Sequence, residues 1–225
     1  MVAKSAARGA KGEKGFISTG MMASWYAGIT AKSMNEFVSD AKRMTKYLSA
    51  GDAVLEVAPG PGYLSVALAK LGNYRIVGMD ISQAFVDIAT QKAKEADVQV
   101  EFRQGDVSQM PFQADTFNLI VCRAAFKNFA APVAALNEMY RVLKPGGKAV
   151  IIDLRHDATP AEVNKAVDAM GLGAVNRFMT KLTFKHMLLK RAYTVDSFKQ
   201  LIAQSAFPKY DIQPDAIGME IRLEK

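Results

Sequence analysis

Cysteine occurs once in 225 residues, at Cys122, which excludes an intramolecular disulfide and leaves no Cys-x-x-Cys metal site. Histidine occurs only twice, at His156 and His186, so candidates for a general base are few. No apolar run approaches the ~18 residues of a membrane span. The first fifteen residues are rich in Ala, Gly and Lys without a hydrophobic segment, so a secretory signal is not expected. The lone cysteine fits a reducing compartment, and a cytoplasmic location is expected. Charge of one sign is in mild excess, at +7. Lys4, Arg8, Lys11 and Lys14 against Glu13 supply part of it, and residues 1–18 are expected to form a flexible basic tail. An arm for nucleic acid would want aromatic side chains among the cations, and they are missing here.

Half the residues are apolar and 23% are charged, which suits one globular domain with a substantial core. Strand and helix patterns alternate, predicting a mainly parallel sheet with helices on both faces. Helices are expected near 20–31 and 33–48. Strands are expected at 53–57, 74–79, 98–103, 117–122 and 148–154, with helices at 62–71, 82–95 and 131–143 between them. Lys144-Pro145-Gly146-Gly147 reads as the stop of the last of these helices. A helical insertion follows at about 159–190. Thr194 then resembles an N-cap for a helix over 195–205. Two strands, near 209–213 and 217–223, should close the chain as a hairpin.

The most informative stretch is Val54-Leu55-Glu56-Val57-Ala58-Pro59-Gly60-Pro61-Gly62-Tyr63-Leu64. An apolar run ends on a loop with almost no side chains, and a helical pattern begins at once. Gly60 and Gly62 add no Cβ to obstruct a ligand, and the helix beyond offers free N–H groups. That is a cofactor cradle at the carboxyl edge of a parallel sheet. A dinucleotide fingerprint would want a third glycine or an alanine, and Ser65 stands there, so a nicotinamide cofactor fits poorly.

Four further pieces follow in order: Gly78-Met79-Asp80-Ile81-Ser82, then Gly105-Asp106-Val107 with Met110-Pro111-Phe112, then Phe117-Asn118-Leu119-Ile120-Val121, then Arg141-Val142-Leu143-Lys144-Pro145-Gly146-Gly147. With the glycine loop, this set resembles a class I S-adenosylmethionine-dependent methyltransferase. It is similar to the small-molecule branch that includes the ubiquinone/menaquinone-biosynthesis methyltransferases. The resemblance is strong over roughly 50–155. It implies a Rossmann-like seven-stranded, mainly parallel sheet whose last strand is antiparallel, with a helical insertion after strand five. Residues 19–225 would form the methyltransferase domain, with lid helices at 19–48 and a helical substrate cap at 155–193. Two positions depart from the family pattern: Ala58 and Asn118 replace its usual glycine and aspartate.

The resemblance also assigns roles. Gly60 and Gly62 would lie against the methionine part of S-adenosylmethionine, with Glu56 organising the loop or accepting from the ammonium. Asp80 could take both ribose hydroxyls, or serve as a helix cap. Met79 and Ile81 would flank the adenine. Asp106 would accept from the adenine amino group and the Val107 N–H would meet a ring nitrogen. Backbone carbonyls at Cys122 and Arg123 could take the ammonium, and Cys122 is expected to be a buried hydrophobe rather than a nucleophile. Tyr26 could reach the cofactor's carboxylate. His156, just past strand five, is the first candidate base, with His186 in a packing role. Arg123, Lys127 and Arg155 could bind an acidic group on the substrate.

The expected activity is methyl transfer by in-line displacement to a small, apolar or aromatic molecule, yielding S-adenosylhomocysteine, with no metal. The surplus apolar residues of the insertion suggest a lid over such a molecule. A nucleic-acid or protein methyltransferase, or a cofactor-binding protein without methyl transfer, are the alternatives. Nucleic acid is not the expected partner, and the acceptor atom and oligomeric state are not written in the sequence.

Overall fold

The computed structural model describes residues 34–171, 173–184 and 188–225. The elements, in chain order, are α1 (Met34–Met44), β1 (Ala53–Val57), α2 (Tyr63–Ala69), β2 (Arg75–Asp80), α3 (Gln83–Glu95), β3 (Val100–Gln104), β4 (Phe117–Arg123), α4 (Pro132–Val142), β5 (Leu143–Leu154), α5 (Pro160–Ala169), α6 (Ala174–Thr183), the single turn α7 (Leu189–Arg191), α8 (Val195–Ala203), β6 (Lys209–Pro214) and β7 (Gly218–Glu224).

The seven strands form one sheet in the order β3-β2-β1-β4-β5-β7-β6. The first five run parallel; β7 is antiparallel to both β5 and β6. Strand β1 lies between two parallel neighbours and all five of its residues are buried, which is why its sequence is nearly unbroken in hydrophobicity. The chain reverses direction across the sheet between β1 and β4, and this switch point opens a crevice at the carboxyl edge.

One face of the sheet packs Ala41 and Met44 of α1 and Leu64, Ala67 and Leu68 of α2 onto Val54, Ile76, Leu119, Val121 and Val150. The other face packs Ala135, Leu136 and Met139 of α4 and Phe198 and Ile202 of α8 onto Leu55, Val57, Ile120, Cys122, Ile151 and Ile221. Alternate residues of each strand thus serve opposite layers. A satellite cluster of Val163, Val167, Phe184 and Leu189 anchors the insertion on Leu154 and Ile217.

Several boundaries differ from the sequence reading by a few residues, and two have a clear local cause. Strand β5 starts at Leu143, five residues before the expected 148, because Leu143 pairs with Phe117 before Pro145-Gly146-Gly147 loops out and pairing resumes at Leu119 with Lys148. Helix α2 is shorter than 62–71, since Gly62 takes a left-handed cap conformation (φ 79°) and the helix ends at Ala69. The described residues of the helical insertion form α5 to α7, and α5 begins with a capping box in which Thr159 and Glu162 satisfy each other's backbone N–H groups. The expected helix at 20–31 lies outside the described residues.

Candidate active site

The loop after β1 carries three residues in the left-handed region: Ala58 (φ 53°), Gly60 (φ 53°) and Gly62 (φ 79°). The glycines occupy it without strain. Ala58 does so with a methyl group, at a cost of about 1–2 kcal/mol. Its N–H is held by the Met79 carbonyl of β2 at 2.8 Å. Gly62 has a packing reason of its own: a Cβ there would stand 2.8 Å from the Ala89 Cβ of α3 and 2.9 Å from the Phe102 ring. The left-handed φ and the closeness of Ala89 and Phe102 both require glycine at that point.

Asp80 ends β2 and is buried. One carboxylate oxygen accepts from the Gly60 N–H at 3.0 Å and the other from the Ser82 N–H at 2.9 Å. It therefore fastens the glycine loop and the turn that leads into α3, whose N-cap is Ser82. Burial pushes its pKa up, opposed by the N–H groups it accepts from. Each oxygen retains a second lone pair for a ligand hydroxyl.

Glu56 sits in β1 with its side chain bonded to the Ser65 hydroxyl in the first turn of α2. Burial pushes its pKa up to about 7, while the Ser65 bonds and the charge of Arg123 pull the other way. Glu56 thus organises the loop from below. Cys122 is fully buried and its thiol pKa is raised by burial, as expected of a small core residue.

Asp106 follows β3. One of its oxygens accepts from both the backbone N–H and the hydroxyl of Ser108, each at 2.8 Å, an Asx turn that fixes the loop. The other accepts nothing among the described residues. Asp106 lines a shallow cleft together with Val57, Ala58, Met79, Ile81, Gly105, Val107 and Phe129. Apolar walls with one available carboxylate oxygen suit a flat heteroaromatic ring bearing an amino group. The cleft therefore fits the adenine of S-adenosylmethionine. Of the predicted residues it gathers Ile81, Asp106 and Val107; Glu56, Gly60, Gly62, Asp80, Cys122 and Arg123 lie beside it or beneath it without lining it. Tyr26 lies outside the described residues, as does His186.

The three cations expected to meet an acidic substrate are already engaged. Arg123 donates to Asp40 at 2.6 Å and Glu36 at 2.9 Å, and its guanidinium stacks 4.3 Å over the Phe37 ring, all on α1. Lys127 forms a buried pair with Asp153 at 2.8 Å and also donates to the Ala124 carbonyl. Arg155 bonds Glu162 and the carbonyls of Asp215 and Ala216. Each of the three is thus held by an ion pair within the chain.

His156 is exposed, past the end of β5. Its Nδ1 lies 2.7 Å from the Leu189 carbonyl. A carbonyl only accepts, so Nδ1 carries the proton in the neutral ring and Nε2 keeps a lone pair. Sequence reasoning missed Phe129 as a cleft wall and the Lys127–Asp153 pair. The apolar Phe126 and Phe129 beside Lys127 were the only local signal, and the partner of Lys127 is 26 residues away.

Residues 55–151 match the model of a methyltransferase domain family. The ubiquinone/menaquinone biosynthesis C-methyltransferase UbiE of Bdellovibrio bacteriovorus is 35% identical over 115 residues, covering 50% of this chain and 49% of the relative. The 2-phytyl-1,4-naphtoquinone methyltransferase of Thermosynechococcus vestitus is 37% identical over 116 residues, 51% of each chain. The chain thus spans about half the length of these curated relatives. Among solved structures, a Methanococcus maripaludis protein assigned as an S-adenosyl-L-methionine-dependent methyltransferase superimposes with a TM-score of 0.79 at 22% identity, over 95% of this chain and 96% of the other, which is a likeness of fold. Residues 55–151 thus carry a methyltransferase domain, and the sheet around them has the fold of S-adenosylmethionine-dependent methyltransferase structures.

Proposed function

We propose that the chain binds S-adenosylmethionine along the carboxyl edge of β1, β2 and β3 and directs methyl transfer to a small apolar or aromatic acceptor of the quinol type. The observation that carries this reading is the cleft in which Ile81, Val107, Met79 and Phe129 form apolar walls around an available oxygen of Asp106. Asp80, fixed by Gly60 and Ser82, supports the ribose on its remaining lone pairs. Glu56 and the left-handed loop answer the positively charged end of the cofactor. The quinone-type acceptor is supported by the names of the relatives, two of which act in quinone biosynthesis.

When bound, the cofactor supplies an already activated methyl group. The chain's own task is alignment and exclusion of water, and alignment alone is worth up to about 7–11 kcal/mol. The acceptor lies in line with the departing sulfur in this reading. His156 Nε2 takes a proton from an acceptor that arrives protonated, and the insertion 155–193 caps the site.

Incubating the chain with labelled S-adenosylmethionine and a panel of quinols, phenols, thiols and amines tests the reading. Label in a quinol product is the expected result. Absence of heat on titration with either the cofactor or S-adenosylhomocysteine would overturn it. His156→Ala is expected to lower turnover about 100-fold or more with cofactor affinity unchanged; equal turnover would remove His156 from the mechanism.

A further inference from the structure

Helix α6 inverts the usual rule for a surface helix. Its apolar side chains Phe178 (67% exposed), Met179 (53%) and Leu182 (43%) face solvent, and Met170 (47%), just past the end of α5, adds to them. At 3.6 residues per turn the three helical positions span about 100° of arc, the width of a core-facing stripe, yet among the described residues no layer covers it. A contiguous exposed patch of large apolar side chains marks an interaction surface.

Charge decides what covers it. Described residues 173–184 and 188–191 carry Arg177, Lys181, Lys190 and Arg191 and no carboxylate. Arg177 and Lys181 flank the apolar arc on one side. They share a single counter-charge, Asp168 of α5, at 3.8 and 2.8 Å. Lys190 and Arg191 are exposed on α7, with no ion pair among the described residues. An apolar arc of Phe, Met and Leu with two cations sharing one carboxylate along its border, and two more on the next turn of helix unpaired among the described residues, has the composition of a segment that lies in a membrane interface, its apolar side chains among acyl chains and its cations at anionic headgroups. A protein partner of ordinary surface would leave that excess charge unanswered.

We infer that α6, with α7, docks this protein on an anionic lipid surface. The insertion stands at the carboxyl edge of the sheet, anchored on Leu154 at the end of β5, so docking there brings the edge that carries the candidate site to the lipid. The inference stands apart from the identity of the methyl acceptor, since it concerns the surface and not the reaction.

The test is sedimentation of the full chain with vesicles of phosphatidylcholine alone and of phosphatidylcholine mixed with phosphatidylglycerol. Retention on the anionic vesicles, weakened by salt, is expected. The double variant Phe178→Glu, Met179→Glu should lose at least about tenfold in retention, and Lys190→Glu, Arg191→Glu should abolish the salt dependence. Both should keep the thermal midpoint and the S-adenosylmethionine affinity of the parent. No retention on anionic vesicles, or equal retention of the first double variant, would overturn the inference. So would a concentration-dependent dimer that Phe178→Glu dissociates, which would identify a second copy as the occupant. Vesicle retention needs no methyl acceptor, so its failure is distinct from failure of the proposed activity.

Discussion

The two halves of the sheet's carboxyl edge treat their carboxylates differently. At β1, β2 and β3 the acids are answered by neutral donors: Glu56 by the Ser65 hydroxyl, Asp80 by the N–H groups of Gly60 and Ser82, Asp106 by Ser108. At β4 and β5 they are answered by cations: Asp153 by Lys127, and Asp40 and Glu36 by Arg123. The first half builds no cation against its acids and leaves them open to a positively charged ligand. The second half pairs its acids with cations and builds a rigid wall. Placement of similar residues at one edge thus divides into a binding half and a scaffolding half according to whether the counter-charge is built in.

The comparison breaks most visibly at the scaffold. Lys127→Met would leave Asp153 buried without its cation, although the N–H groups of Lys127 and Leu154 still reach it. Destabilisation of about 3–5 kcal/mol is expected, read by urea unfolding. On the binding side, Glu56 offers the next largest effect. Burial raises its pKa from 4.5 to about 7, so the folded chain holds a proton that the unfolded chain releases. Its contribution to stability is complete below pH 4.5 and is lost as pH climbs to about 7. Glu56→Gln should therefore be more stable than the parent by about 3 kcal/mol at pH 8 and comparable to it at pH 4, which a thermal melt series across pH would check. Over the same window, cofactor affinity of the parent should rise with pH as Glu56 ionises.

Asp80→Ala comes next, with a loss of about 2–3 kcal/mol in S-adenosylmethionine affinity by calorimetry; unchanged affinity would return Asp80 to the scaffold. The smallest effect is at Ala58. Ala58→Gly removes the left-handed strain and restores the family's usual residue, at the expense of a more flexible unfolded chain. A net gain of about 0.5–1 kcal/mol is expected, seen as a higher melting midpoint without loss of cofactor binding.

The seven strands along the chain and the glycine loop were legible because they rest on local signals: an apolar run, a bare turn, a periodic helix; the antiparallel sense of the last strand came from the resemblance. The roles of Asp80 and Gly62 were only half legible. That Asp80 sits at a strand end is a local fact, but that both its oxygens face backbone N–H groups depends on where Gly60 returns in space. Gly62 reads as ligand access until Ala89 and Phe102 are seen against it. The engagement of Arg123 and Lys127 could not be read at all, since their partners lie 83 and 26 residues away. The apolar residues of α6 stood out in the sequence as a surplus, but nothing in a helical period tells which way such a stripe turns.

Arg123 belongs to a longer chain of charges. Glu36 and Asp40 of α1 meet Arg123, Asp40 also meets Arg43, Arg43 meets Glu220 of β7, and Glu220 meets Arg222, which reaches Asp211 of β6. The earliest described helix is buckled directly to the final hairpin by Arg43 and Glu220, and to the central strand β4 by Arg123. Fraying that starts at either extremity must undo the same clasp, so hydrogen exchange in α1 and in the β6–β7 hairpin should rise and fall in step.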